Sequence, residues 1–154
     1  MINIEGHARE LLERNSYVVL ATADADGHPW ATPVWFAPDG LDRLHWLSWP
    51  GSRHSQQVEQ RPEVALTVFD STVAPYNGAA FYATARAAQC REDQLDAGLE
   101  NVNRRSATQG IDLMTRDHVS GDARLRLYVA DYTDVWVLDQ DADVDQRVAV
   151  PRLP

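Results

Sequence analysis

The stretch YVVLATADADGHPWATPVWFAPDGLDRLHWLSW, residues 17–49, carries the first signal of the fold. Residues 17–23 (YVVLATA) are apolar and rich in β-formers. They end in Asp24-Ala25-Asp26-Gly27, a turn signal because glycine supplies positive φ at no steric cost. Residues 29–37 (PWATPVWFA) read as a second strand, in which Pro33 has no N–H to donate and so marks an edge or a bulge. Asp39-Gly40 reverses the chain again, and residues 44–49 (LHWLSW) read as a third strand. The pattern predicts a three-stranded antiparallel meander over 17–49.

Outward from this segment, Ile4, Ala8, Leu11 and Leu12 recur at helical spacing and predict a short amphipathic helix over 3–14. On the other side Pro50-Gly51 ends the third strand. Ser52 is placed to cap a helix that runs to Gln60 and stops before Pro62. Residues 64–69 (VALTVF) and 79–88 (AAFYATARAA) read as strands joined by a turn-rich stretch containing Pro75 and Gly78. A polar helix with Leu95, Leu99 and Val102 as its apolar stripe is expected over 91–106, on the outside of the fold. Residues 124–138 read as a long, bent strand or strand pair, with Leu125, Leu127 and Val129 on one face. The expected class is mainly β with short helices (α+β), an antiparallel closed or split β-barrel forming one domain over 1–139. The acidic tail, 140–154, has no clear period and is expected to be loosely packed or to lean on a partner subunit.

A chain of 154 residues can bury a core without disulfide or metal staples. Its 14 basic and 23 acidic residues give a net charge of −9, a field that disfavours nucleic acid and anionic membranes as partners. Every basic residue is arginine, which excludes Schiff-base lysines, pyridoxal-phosphate catalysis and a Walker-type phosphate lysine. Cys90 is the single cysteine, so no intrachain disulfide or multi-thiolate metal site is possible, and a reducing, cytoplasmic setting is expected. The N-terminal residues have no apolar signal region, and no run approaches the ~18 apolar residues of a membrane span.

Several motifs fail on inspection. Asp139, Asp141 and Asp143 imitate the opening of a calcium loop, but Val144 stands where the turn needs glycine and Val150 where it needs a bidentate glutamate. His7, His28, His45, His54 and His118 form no close pair with ligand spacing, and no metal site is expected. There is no nucleophile elbow and no dinucleotide fingerprint. Cys90 lies near the end of a strand without a base and reads as a small buried hydrophobe.

The chemically informative segment is LSWPGSRHSQQVEQR, residues 47–61. A strand ends, a glycine turn follows, and Ser52 opens a helix whose free N–H groups and positive dipole end lie at Arg53 and His54. This is the arrangement that holds a phosphate: Arg53 supplies charge-assisted hydrogen bonds, and His54 a donor whose charge depends on pH.

The order ATADADGHPWATPVWF, then LHWLSWPGSRHSQQVEQRPEVALTVF, then FYATARA resembles the pyridoxamine 5'-phosphate oxidase-like, FMN-binding split β-barrel family over roughly residues 10–90, and weakly over 125–138. The resemblance implies a homodimer with two flavins in clefts between subunits. It implies that Arg53 and His54 hold the FMN phosphate, that Thr32, Pro33, Val34 and Trp35 line the isoalloxazine, and that Ser48 and Trp49 lie beside the ribityl phosphate. Trp136 is implied to approach the ring from the other subunit. The chain departs from the vitamin B6 oxidases, with Thr32 and Ala37 where those enzymes carry basic residues, His54 in place of a second Lys or Arg, and no C-terminal Arg-x-His motif. The expected function is therefore an FMN-binding oxidoreductase acting on an unassigned small molecule, with no side chain proposed as acid or base. Two alternatives keep the fold: a reductase that uses a deazaflavin coenzyme, and a non-catalytic flavin or haem binder in which one of the five histidines would be the haem ligand.

Overall fold

The computed structural model describes residues 3–151. Helix α1, Ile4–Arg14, starts where the Asn3 side chain accepts from Gly6 N at 2.9 Å, and it buries Ala8, Leu11 and Leu12. Strands β1 (Tyr17–Ala23) and β2 (Pro29–Trp35) form a hairpin in register from Tyr17↔Trp35 to Ala23↔Pro29, turned by Gly27 at φ 89°. After Phe36 come β3 (Ala37–Asp39), a turn at Gly40 with φ 58°, and β4 (Arg43–Ser48). Helix α2 spans Arg53–Gln60, and β5 (Glu63–Phe69) and β6 (Ala80–Gln89) follow. Helix α3 spans Leu95–Gln109, and the long β7 (Arg126–Leu138) and the short β8 (Arg147–Ala149) close the chain.

The strands form one antiparallel sheet in the order β2-β1-β5-β6-β7-β4-β3, with β8 added to β7. The expected three-stranded meander is therefore corrected. β2 does not pair with β4; the chain passes through Phe36 from one end of the sheet to the other. The two ends of the sheet are two halves of one run of chain, 29–39, so the sheet curls round upon itself. Sequence periodicity sees three strands in a row but cannot see that the middle one bends between two partners. β7 bends as well: its pairing with β6 skips at Thr133, leaving Arg126–Asp131 to pair with β4 and Trp136–Leu138 to pair with β8.

Alternation along the strands sorts side chains into two clusters. Inside the curl lie Val18, Leu20, Phe36, Leu44, Trp46, Val68 and Phe81, closed at one end by α1. On the outer face Leu127, Val129 and Ala37 pack against Leu95, Leu99 and Val102 of α3. The α3 stripe is thus the expected one, but its polar side is also used. The nearly inaccessible Arg105 donates to the carbonyls of Leu12, Glu13 and Asn15 and to the Glu13 carboxylate, placing a cation at the C-terminus of α1. The acidic tail departs from the loose packing expected of it: Val150 is buried, and its N–H donates to Val135 O at 2.9 Å. Residues 152–154 of that tail lie outside the described residues.

Candidate functional site

Ser48 is the last residue of β4, Ser52 the N-cap of α2, and His54 and Ser55 stand in its first turn. The segment between them folds tightly because Gly51 has no side chain: a Cβ there would fall 2.4 Å from the indole of Trp49, which lies against the backbone with its other face largely exposed. The four polar groups form a connected set. The Ser52 hydroxyl donates to Ser55 Oγ at 2.8 Å, Ser55 donates to Ser48 Oγ at 3.2 Å, and Ser48 Oγ lies 2.7 Å from His54 Nε2. With Ser48 accepting from Ser55, its own proton is available to His54 Nε2 in the tautomer that carries the imidazole proton on Nδ1. Burial lowers the His54 pKa below its ordinary value, so the ring is neutral at neutral pH.

Arg53 is exposed, and its guanidinium carbon lies 4.4 Å from the centroid of Trp30. The cation is held on the ring face with its N–H fork free at the rim. The first turn of α2 contains no acidic residue, and its leading N–H groups have no acceptor within the helix. An anion at this position meets a guanidinium, backbone donors and the positive end of the helix dipole, with no nearby carboxylate from α2 to repel it. α2 is fixed in place by Thr22, which donates to Gln57 Oε1 at 2.6 Å in a buried contact, and by Arg61, which donates to Ala25 O.

The structure brings Ser48, Trp49, Arg53 and His54 together at the β4–α2 turn, with Thr32 and Val34 on the same face of β2 as Trp30, on which Arg53 rests. Thr32 and Val34 pair with the buried Leu20 and Val18 and face the inside of the curl. Pro33 and Trp35 face outward, and the Trp35 indole donates to Gln109 Oε1 at 2.8 Å beside α3. Trp136 shares the outer face but lies four strands from β2, on the order of 19 Å along the sheet, so within one chain it does not approach β2. Sequence reasoning missed Trp30 as a site residue, because a tryptophan on a strand reads as core until its neighbour across the barrel end is known. It also missed that the β1–β2 turn gathers Asp24, Asp26 and His28, where Asp24 accepts from the N–H groups of Asp26 and His28 and pairs with the His28 ring.

A curled antiparallel sheet with three short helices and an anion-receptive helix start on its rim defines a split-barrel protein. A family model described as pyridoxamine 5'-phosphate oxidase matches residues 4–138, and the chain belongs to that family. Among solved structures, the chain is similar to a haem binding protein from Mycobacterium smegmatis at 14% identity and TM-score 0.74, covering 97% of this chain and 59% of that one. It is similar to the haem storage protein HutZ from Vibrio cholerae at 19% identity and TM-score 0.67, covering 88% and 95% respectively. It is also similar to an F420 reductase at 25% identity and TM-score 0.59, covering 82% of this chain and 94% of that one. The first two likenesses, at those identities, speak for the fold alone. No curated protein matches the chain. Among the described residues no helix is long and apolar enough to cross a membrane.

Proposed function

We propose that this chain is a cytoplasmic, homodimeric flavin-binding oxidoreductase that holds the phosphate of FMN at the start of α2 and acts on a small molecule. The observation that carries the reading is Arg53, exposed on the face of Trp30 at a helix start without acids. The fit is good: Arg53 and the leading N–H groups of α2 bind the phosphate, the Ser48–Ser52–Ser55 hydroxyls hold His54 as a neutral group beside it, and Trp49 offers a flat apolar surface. When bound, the flavin supplies hydride or electron transfer; the chain's part is to bind, orient and exclude water. His54 being neutral, affinity for phosphate owes little to its charge.

A second copy belongs to this reading because, beyond the Glu63–Arg86 pair, the outward faces of β2, β1 and β5 carry mostly apolar side chains, with Tyr17 61% and Phe69 49% exposed. Trp30, Val34 and Leu47 do not add to that face: Val34 packs inward, Leu47 lies against the α3 cluster and Trp30 carries Arg53. Vitamin B6 oxidation is not part of the proposal. A substrate phosphate needs a second cation, and Arg86 is paired with Glu63 at 2.7 Å while Arg126 is spent on the carbonyls of Gly121, Ala123 and Leu125.

One observation favours a second reading, the deazaflavin coenzyme: the chain is 25% identical to the F420 reductase over 94% of that protein's length. Both cofactors carry phosphate, and Arg53 serves either. Purification without added cofactor, denaturation, and absorption and mass spectrometry of what is released separates them. Released FMN, or tight uptake of added FMN, supports the first reading, and a deazaflavin the second. Haem, or no affinity for any of the three, overturns both.

A further inference from the structure

On the other side of α2 from Arg53, between that helix and the ends of β6 and β7, lies a groove of about 440 Å³. The other cavities described measure 200–250 Å³, and only this one reaches the size range of small-molecule sites. Its apolar walls are Val58, Pro62 and Ala87, and its polar groups are Ser55, Glu59 and Tyr128, with Gln89 at the rim. Tyr128 is the floor. The residue is 4% exposed, and its ring stacks on the wholly buried Trp46, with centroids 5.3 Å apart and planes inclined by 20°. Ser55, beside the phenol, is fixed by its bonds to Ser48 and Ser52. The polar floor is therefore preorganised, and little ordering accompanies binding.

Among the described residues lining the groove, Glu59 is the one charged group. Arg126 lies outside the lining; it acts on the Tyr128 phenol in the opposite sense to Glu59, and its guanidinium is engaged by the carbonyls of Gly121, Ala123 and Leu125. Burial first, and the Glu59 carboxylate with it, raises the Tyr128 pKa above its ordinary value against the opposing hydrogen bond with Ser55 and the charge of Arg126, so the phenol is protonated. A carboxylate and a phenol oxygen lining one groove offer acceptors to a multiple donor, and the wall of Val58, Pro62 and Ala87 offers apolar contact to a flat or compact body.

We propose that this groove binds a small organic ammonium ion, a primary amine on an aromatic or alicyclic body, with the ammonium between Glu59 and Tyr128 and the body against Val58, Pro62 and Ala87. The site is separate from Arg53 and does not depend on the flavin reading.

The probe is benzylamine, with benzyl alcohol and benzoate as comparators, titrated into the full chain and followed by amide chemical shifts. The expected result is saturable benzylamine binding with shifts centred on Ser55, Glu59, Gln89 and Tyr128, tighter than benzyl alcohol by about tenfold and than benzoate by more. Glu59→Gln is expected to bring benzylamine to the level of benzyl alcohol, and Gln89→Trp to block both by covering the rim. Both positions are exposed, and the same spectra report whether each variant is folded; if Gln89→Trp does not fold, the Glu59→Gln ratio decides alone. Absence of saturable binding, shifts centred elsewhere, or an unchanged amine-to-alcohol ratio in Glu59→Gln overturns the proposal. Arg53→Ala is expected to keep benzylamine affinity while losing FMN affinity, so the two sites fail independently.

Discussion

Arg53 lies exposed over Trp30, while His54, one residue on, is folded back against Ser48, and burial keeps its ring neutral. Of this pair the charge comes from Arg53 alone at neutral pH. Arg53→Ala is expected to weaken FMN binding by ~1.5–3 kcal/mol, the scale of a lost hydrogen bond to a charged group, with urea stability unchanged. Titration calorimetry with FMN checks it; unaltered affinity removes Arg53 from the site. His45 gives the second residue-scale prediction. It is buried under α3, where Asn101 Nδ2 donates to His45 Nδ1 at 3.0 Å and to Ala37 O at 3.1 Å. Burial lowers its pKa below the ordinary 6.5, against the pull of Asp39 and Asp131 and with the help of Arg43. The unfolded chain takes up a proton at its ordinary value and the folded chain only at lower pH, so the unfolded state binds more protons in this window. Stability is therefore complete above that value and declines as pH falls from 6.5 towards the folded pKa, with His54 acting in the same direction. Urea midpoints at pH 7.5 and 5.5 are expected to show the decline, and His45→Gln, which can still accept from Asn101, to make it shallower.

At the scale of elements, α3 docks where the sequence places a glycine on its buried side. A Cβ on Gly98 would fall 2.7 Å from Leu127 Cδ2 and 3.2 Å from the His45 ring. Alanine gains about 1 kcal/mol in helix propensity, whereas overpacking costs about 1–3 kcal/mol. Leu127 is fully buried and cannot swing aside, so the clash wins. Gly98→Ala is expected to destabilise by up to about 2 kcal/mol in urea unfolding; a stabilised variant means that α3 sits further from the sheet. α1, β1, β4, α2, β5 and β6 were each legible within a residue or two, because period-2 alternation, the Ser52 cap and Pro62 act locally. The role of Arg105 was not legible. Among arginines in a polar helix, nothing in the chain marks the one that meets the carbonyl end of a helix ninety residues earlier.

For the whole molecule, the outer face of the sheet is the open question of assembly. Pro33, Val19, Thr67, Tyr82 and Trp136 run in one row across β2, β1, β5, β6 and β7. Light scattering is expected to give the mass of two chains, and Phe69→Asp, which puts a charge on that face, to give one. A wild-type monomer at every concentration defeats the homodimer and with it any role for Trp136 beside a flavin, since within one chain it stands four strands away.

By itself the sequence determined the class of fold, the positions of α1, α2, β1, β4, β5 and β6 and the candidate anion site at Arg53, because each depends on residues within one turn or one hairpin of each other. Only the tertiary structure decided that residues 29–39 close the sheet by bending at Phe36, that the tail returns as β8, and that Arg53 meets Trp30 while His54 turns to Ser48. These depend on which strand lies beside which, and that is set by burying the side chains of the whole chain at once, a sum that no local window of sequence contains.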